Sequence, residues 1–89
     1  MKKHYDIIIR GRVQNVGFRF YAQRTAQALN IIGFVKNRHD GSVYIEAEGE
    51  EENLQHFIAW CRQGPSWAAV IEVLVNAAPL KNFNGFLVQ

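Results

Sequence analysis

A short basic segment near the amino terminus, GRVQNVGFRF (residues 11–20), combines the residue types that bind an anion. It contains glycines, amides and arginines with no acidic residue, and it lies where β-branched residues give way to helical spacing. The first amides of a helix have no acceptor within the helix and carry partial positive charge, and successive loop amides form a similar nest. The segment therefore predicts an anion site, most simply for phosphate.

Five backbone amides and one guanidinium are the candidate phosphate-binding groups of this segment. The amides belong to Asn15, Val16, Gly17, Phe18 and Arg19. Arg19 falls in the first turn of the predicted helix, where a cation opposes the helix dipole, whereas a guanidinium grips two phosphate oxygens at once. On spacing alone, a solvated surface arginine beside a plain turn is an equally good interpretation.

The elements that would position this segment follow from hydrophobic periodicity. Residues Tyr5–Val13 alternate as a strand with one polar side, and Phe18–Leu29 has helical spacing. Ile31–Asn37 predicts a second strand, which a tight turn at Asp40-Gly41 joins to Ser42–Glu48. The first half of the chain is therefore predicted to be β-α-β-β.

The second half repeats the helix and strand pattern. Gly49 opens a predicted helix with an acidic first turn, which the dipole favours, and Gly64-Pro65 ends it. Val70–Val75 predicts a strand, and Phe86–Val88 a short last one. The order predicts one α+β domain over residues 1–89, a ferredoxin-like split-βαβ sandwich with two helices on one face of a mainly antiparallel sheet.

The predicted topology brings two distant segments to one crevice. The first and second strands point the same way, with the third strand antiparallel between them. The loop that follows the first strand and Asn37 at the end of the second are therefore expected at the same edge of the sheet.

Composition indicates which partners and which cellular compartment to expect. The 89 residues are 48% hydrophobic and 20% charged, with a formal net charge of +2, which is typical of a globular protein and leaves no basic cluster for nucleic acid. One cysteine, Cys61, excludes an internal disulfide and fits a reducing cytoplasm. No segment predicts a signal peptide or membrane span. We expect a cytoplasmic monomer without nucleic-acid or membrane partners; an RNA-binding ferredoxin-like module is disfavoured because paired exposed aromatics are missing.

Two motifs together resemble the acylphosphatase family. GRVQNVGFRF resembles its glycine-x-valine-glutamine signature, and GFVKNRHDGSVYIEAEG (residues 33–49) resembles its second motif. The resemblance is strong from Tyr5 to Gly49, extends through Gly64-Pro65 and is loose from Trp67 onward. It implies a hydrolase of acyl phosphates (EC 3.6.1.7), with Arg19 as the catalytic arginine and Asn37 as the catalytic asparagine.

The residue types agree with that implied chemistry. An acyl phosphate has a good leaving group, so its hydrolysis needs charge neutralisation and a positioned water more than an acid. Neither the loop nor Asn37 supplies a nucleophile, which favours direct attack by water without a phosphoenzyme, metal or cofactor. Gln14 is expected to shape the loop, and a phosphate or sulfate ion is the expected occupant.

One departure leaves an alternative open. The family usually has glycine where this chain has Asn15. At a positive φ, asparagine in place of glycine costs roughly 1 kcal/mol of stability. A catalytically impaired phosphate-binding regulatory module is therefore the alternative function. His4, His39 and Cys61 lack the spacing of metal ligands, so we predict no metal site.

Overall fold

The computed structural model describes residues 1–89 as a five-stranded sheet with two helices packed on one face. The elements, in chain order, are β1 (Lys2–Arg12), α1 (Phe18–Ala28), β2 (Ile32–Asn37), β3 (Val43–Glu50), α2 (Glu51–Gln63), β4 (Ala69–Ala78) and β5 (Phe86–Val88). Neither helix is long and apolar enough to cross a membrane. The predicted fold class and order of elements are confirmed.

The sheet has the strand order β4-β1-β3-β2-β5. All neighbours pair antiparallel except β2 and β5, which are parallel. Because β3 lies antiparallel between β1 and β2, the carboxyl ends of β1 and β2 meet at one edge of the sheet. The strand directions are therefore those that the predicted crevice requires, with the loop after β1 and the end of β2 at the same edge.

The core fills the space between the sheet and the helices. Alternation along β1 turns Ile7 and Ile9 toward the helices, and Ile45 of β3 lies opposite Ile7. The helices contribute buried stripes at helical spacing: Phe18, Ala22 and Ala26 from α1, with Leu54, Phe57, Ile58 and Cys61 from α2. Burying this apolar surface is the main favourable term that holds the helices on the sheet.

Several predicted boundaries were wrong. Gly49 does not open α2; it pairs with Lys3 in the β1–β3 ladder, so β3 runs on to Glu50 and α2 begins one residue later. Strand β4 extends to Ala78 because β1 begins at Lys2 and offers ladder partners as far as His4. Cross-strand pairing lengthened all three strands beyond what their own alternation indicates.

Part of the face of the sheet away from the helices, around His4 and Glu48, is covered by residues 79–85, which connect β4 to β5. Glu48 is fully buried there, and its carboxylate accepts the amide protons of Lys81 at 2.6 Å and Asn82 at 2.7 Å. The ring of Phe83 stacks on His4 with a centroid separation of 5.7 Å. A buried anion thus holds this connection against the sheet.

Acid is expected to weaken that attachment. Burial alone would raise the pKa of Glu48, but hydrogen bonds from the Lys81 amide, the His4 ring and the Asn82 amide outweigh it, so the pKa lies below its ordinary value. The pKa of Glu46 is lowered in the same way, because hydrogen bonds from Lys81 and Tyr44 outweigh burial.

A carboxylate with a depressed pKa stabilises the fold above its unfolded-state value, about 4.3 for glutamate, and loses that contribution as pH falls through the folded value. We expect the thermal unfolding midpoint to fall steeply below about pH 4. Glu48→Gln removes the titrating group and should flatten this part of the profile. If the unfolding midpoint of Glu48→Gln falls as steeply in acid as that of the unaltered chain, Glu48 is not the group responsible.

Candidate active site

The loop between β1 and α1 contains two residues in the left-handed region. Asn15 has φ 61° and Gly17, which caps α1, has φ 81°. Asparagine is among the non-glycine residues that adopt this conformation most readily. The position that departs from the family's glycine therefore does have a positive φ, and the asparagine fits its backbone.

The start of α1 leaves a row of free amides. The amide of Tyr21 donates to the carbonyl of Gly17 at 3.1 Å, which begins the helix, whereas no amide from residue 15 to residue 20 donates to a backbone carbonyl. No acidic side chain occupies the first turn. These donors are thus available to an external acceptor, as helix amino termini generally are.

Residues of the loop, the arginine and the asparagine line one open cavity of about 280 Å³. Its lining consists of Val13, Asn15, Gly17, Phe18, Arg19, Phe20, Asn37 and Val88. Arg19 comes from the first turn of α1 and Asn37 from the carboxyl end of β2, as the strand directions require. Val16 of the loop is half-buried and packs against the core instead.

The residue that follows strand β5 holds the guanidinium of Arg19 in place. Nη1 of Arg19 donates to the backbone oxygen of Gln89 at 2.8 Å, and the Gln89 amide donates to the Val35 carbonyl at 2.8 Å. Arg19 is thereby fixed to the sheet through the end of β5, while its remaining N–H groups stay available for a ligand.

Gln14 connects the loop to the β2–β3 hairpin. Its Nε2 donates to the carbonyl of Arg38 at 2.7 Å and to the carbonyl of Ser42 at 2.9 Å. The hairpin turn is further fixed by Asp40, whose Oδ1 accepts the amide and hydroxyl protons of Ser42. Since Asn37 precedes this turn, Gln14 ties the loop to the strand end that carries Asn37.

Comparison with known proteins identifies relatives of this chain. A sequence model of the acylphosphatase family matches residues 5–88. The acylphosphatase of Archaeoglobus fulgidus is 45% identical over 81 residues, 91% of each chain, and that of Synechococcus sp. is 42% identical over 89 residues, covering 100% of this chain and 99% of the relative.

The chain belongs to the acylphosphatase family.

The family assignment extends to the structure. The crystal structure of acylphosphatase from Bacillus subtilis superimposes with a TM-score of 0.95 at 39% identity, covering 100% of this chain and 99% of that chain. The prediction of an acylphosphatase, a hydrolase with this fold, is confirmed, and the family supports acyl phosphate hydrolysis as its activity.

Other candidate residues lie elsewhere in this acylphosphatase. His39 is exposed in the hairpin turn. Cys61 is buried in α2, where burial raises the pKa of its thiol. Neither side chain contacts His4. Lys36 lies over the ring of Tyr44, 5.8 Å from its centroid, and does not line the cavity. Trp67 is 78% exposed.

Two residues that line the cavity were not predicted from the sequence: Phe20, which ends the first motif, and Val88. Phe20 is 54% exposed, and Val88 reaches the cavity only because β5 pairs parallel with β2. The aromatic at position 20 adjoins the motif arginine and was detectable from the sequence. Val88 and Gln89 carry no local signal, since a parallel pairing between distant segments is not encoded in either alone.

Gln14→Ala is expected to lower kcat by about tenfold, because losing both hydrogen bonds frees the hairpin that carries Asn37. The free energy of unfolding should fall by about 1 kcal/mol, the usual net contribution of a hydrogen bond, because the carbonyls of Arg38 and Ser42 each keep a backbone amide donor. Inorganic phosphate should bind as in the unaltered chain. Gln55→Ala, on the exposed side of α2, is the matched control. An unchanged kcat in Gln14→Ala would refute the positioning role.

Proposed function

We propose that this acylphosphatase hydrolyses acyl phosphates by direct attack of a positioned water, without a metal or a phosphoenzyme. The observation that carries the proposal is that one cavity is lined by Arg19, by Asn37 and by the loop residues Asn15, Gly17 and Phe18, whose amides donate to no backbone carbonyl. Each part supplies one requirement of the reaction: charge neutralisation, orientation of the phosphoryl group and placement of water.

The phosphoryl group binds to the loop. The amides of residues 15–19 donate to its oxygens, and the guanidinium of Arg19 grips two of them, as it does in other phosphate sites. These donors are fixed before the substrate arrives, the amides by the backbone and Arg19 by its bond to Gln89. Preorganised donors stabilise charge without the cost of reorganisation.

Asn37 orients the attacking water. Its side-chain oxygen accepts a hydrogen bond from the water, which aims a lone pair of the water oxygen at phosphorus. The water oxygen forms a bond to phosphorus while the phosphorus–acyl oxygen bond breaks, and the carboxylate leaves with the bonding electron pair. Both protons of the water stay with the phosphate, so an acyl phosphate dianion yields one carboxylate and one dihydrogen phosphate.

The cavity lining supports water as the nucleophile. No cysteine, serine, aspartate or histidine lines the cavity, so no side chain there is suited to form a phosphoenzyme. The acyl group, once the phosphate is seated, lies against the apolar surfaces of Phe20 and Val88. These surfaces favour acyl groups with apolar substituents over charged ones.

The direct test is turnover of benzoyl phosphate by the purified protein with a chelator present. We expect release of benzoate and phosphate at equal rates, and no labelled protein when the phosphorus is isotopically labelled. Absence of turnover would overturn the proposed function, and labelled protein would overturn the direct attack by water.

The alternative, a phosphate-binding regulatory module, rests on Asn15, whose side chain shares the cavity. Asn15→Gly suits the positive φ and removes that side chain. For an active enzyme, we expect Asn15→Gly to keep activity and to change the free energy of unfolding by no more than about 1 kcal/mol. If the protein binds phosphate without turnover and Asn15→Gly gains hydrolysis, the alternative is correct.

A monomer in the cytoplasm completes the proposal. The single cysteine is buried and free, which suits a reducing compartment. Equilibrium sedimentation of the purified protein tests the monomer.

A further inference from the structure

A cluster of titratable side chains lies on the face of the sheet away from the helices. The ring of His4 is fully buried, with Nδ1 2.8 Å from Oε2 of Glu48. Its Nε2 lies 3.1 Å from Oδ1 of Asp6 and 3.1 Å from Oε1 of Glu46. At about 3.3 Å per residue along a strand, His4 is roughly 25–30 Å from Val13 and the catalytic cavity.

The hydrogen bonds of Glu48 decide which ring nitrogen of His4 donates to it and which one faces the other two carboxylates. The Glu48 carboxylate accepts two amide protons from residues 81 and 82 and is fully buried. Nδ1 of His4 therefore carries a proton and donates it to Glu48. Nε2 of His4 then faces oxygens of Asp6 and Glu46, both of them acceptors, at 3.1 Å. Because the lone pairs of nitrogen and oxygen repel each other, a proton or a metal ion must lie between them.

We propose that His4, Asp6 and Glu46 bind a divalent transition-metal ion, with Glu48 holding the imidazole in the ligating tautomer. The three ligand atoms lie within 4.8 Å of one another. Bonds of 2.0–2.2 Å to a tetrahedral zinc ion place nitrogen and oxygen ligands about 3.3–3.6 Å apart, a few tenths of an ångström more than the 3.1 Å separations from Nε2.

A histidine whose other nitrogen donates to a carboxylate is the usual arrangement around a bound metal. Imidazole selects Zn²⁺, Co²⁺, Ni²⁺ or Cu²⁺ over Mg²⁺ and Ca²⁺. The side chain of Asp6 is 32% exposed, so solvent reaches the cluster and water completes the coordination.

The charge of the cluster favours a divalent ion. Three carboxylates and one ammonium, that of Lys81, whose Nζ lies 2.9 Å from Oε1 of Glu46, sum to −2 when the imidazole is neutral. A divalent ion balances this charge. The side chain of Lys81 is half-exposed and competes with the metal for Glu46.

The test is calorimetric titration of the tag-free, chelator-stripped protein with Zn²⁺ near pH 7.5, repeated with Co²⁺ to observe its d–d absorption. We expect one ion per chain. Asp6→Asn, at a partly exposed position that should keep the fold, is expected to weaken binding at least about tenfold, and Glu48→Gln by about 10- to 100-fold. Lys81→Met should tighten binding, because it removes the competing cation.

The chain has three histidines, and the other two provide the control. The double variant His39→Gln, His56→Gln removes the two exposed imidazoles and should bind Zn²⁺ like the unaltered chain. No stoichiometric uptake, uptake that survives Asp6→Asn, or uptake that disappears in the double variant would each overturn the proposal. In that case the buried ring is an imidazolium that pairs with the carboxylates.

Discussion

Arg19→Ala is expected to lower kcat/KM for benzoyl phosphate by about 10³-fold or more, the range over which arginines act in phosphoryl transfer. The guanidinium neutralises charge on the phosphoryl oxygens, and no other cationic side chain lines the cavity. Binding of inorganic phosphate should weaken as well, because the same group holds the ground state. Calorimetric titration with phosphate beside steady-state kinetics measures both effects.

Two further variants distinguish the effects of the charge and shape of the Arg19 guanidinium from an effect on folding. Arg19→Lys keeps the charge but loses the planar fork, so it should recover only part of the rate. Arg62→Ala, at the exposed carboxyl end of α2, removes an arginine far from the cavity and should leave kinetics unchanged. Since Arg19 opposes the dipole of its own helix, Arg19→Ala should unfold at nearly the usual temperature. Full activity in Arg19→Ala would refute its catalytic role.

Asn37→Ala is expected to lower kcat by about 10²-fold while KM and phosphate binding change little, because the amide places water rather than the substrate. Asn37→Asp keeps the size but brings a negative charge to the cavity, so it should also weaken phosphate binding. Progress curves across a range of benzoyl phosphate concentrations separate kcat from KM.

Asn53→Ala serves as the control for Asn37→Ala, since Asn53 lies in the first turn of α2 and does not line the cavity. It should show ordinary kinetics. A loss of phosphate binding in Asn37→Ala equal to the loss in kcat would mean that Asn37 holds the phosphate instead of the water.

The sequence carried enough information to locate the candidate site. The motif at residues 11–20 contains a turn, a helix start and a cation within ten residues, and each follows local rules of backbone conformation and charge. Asn37 could be placed beside it because the β-α-β-β order leaves few sheet topologies. Arg19 and Asn37 line one cavity in the structure.

Other features depend on pairings that no local pattern encodes. Strand β5 has only three residues, and its parallel register with β2 brings Gln89 to Arg19. His4, Glu46 and Glu48 look like the polar side of two strands, yet the connection at residues 79–85 covers them and makes them a buried cluster.

The sequence by itself determined the order of elements, the helix faces and the residue types of the anion loop, because periodicity and turn chemistry act over a few residues. Only the tertiary structure decided how far β1, β3 and β4 extend, what fixes the guanidinium, and which carboxylates surround His4. These depend on register and on segments far apart in the chain, where the free energy of pairing exists only once both partners are in place.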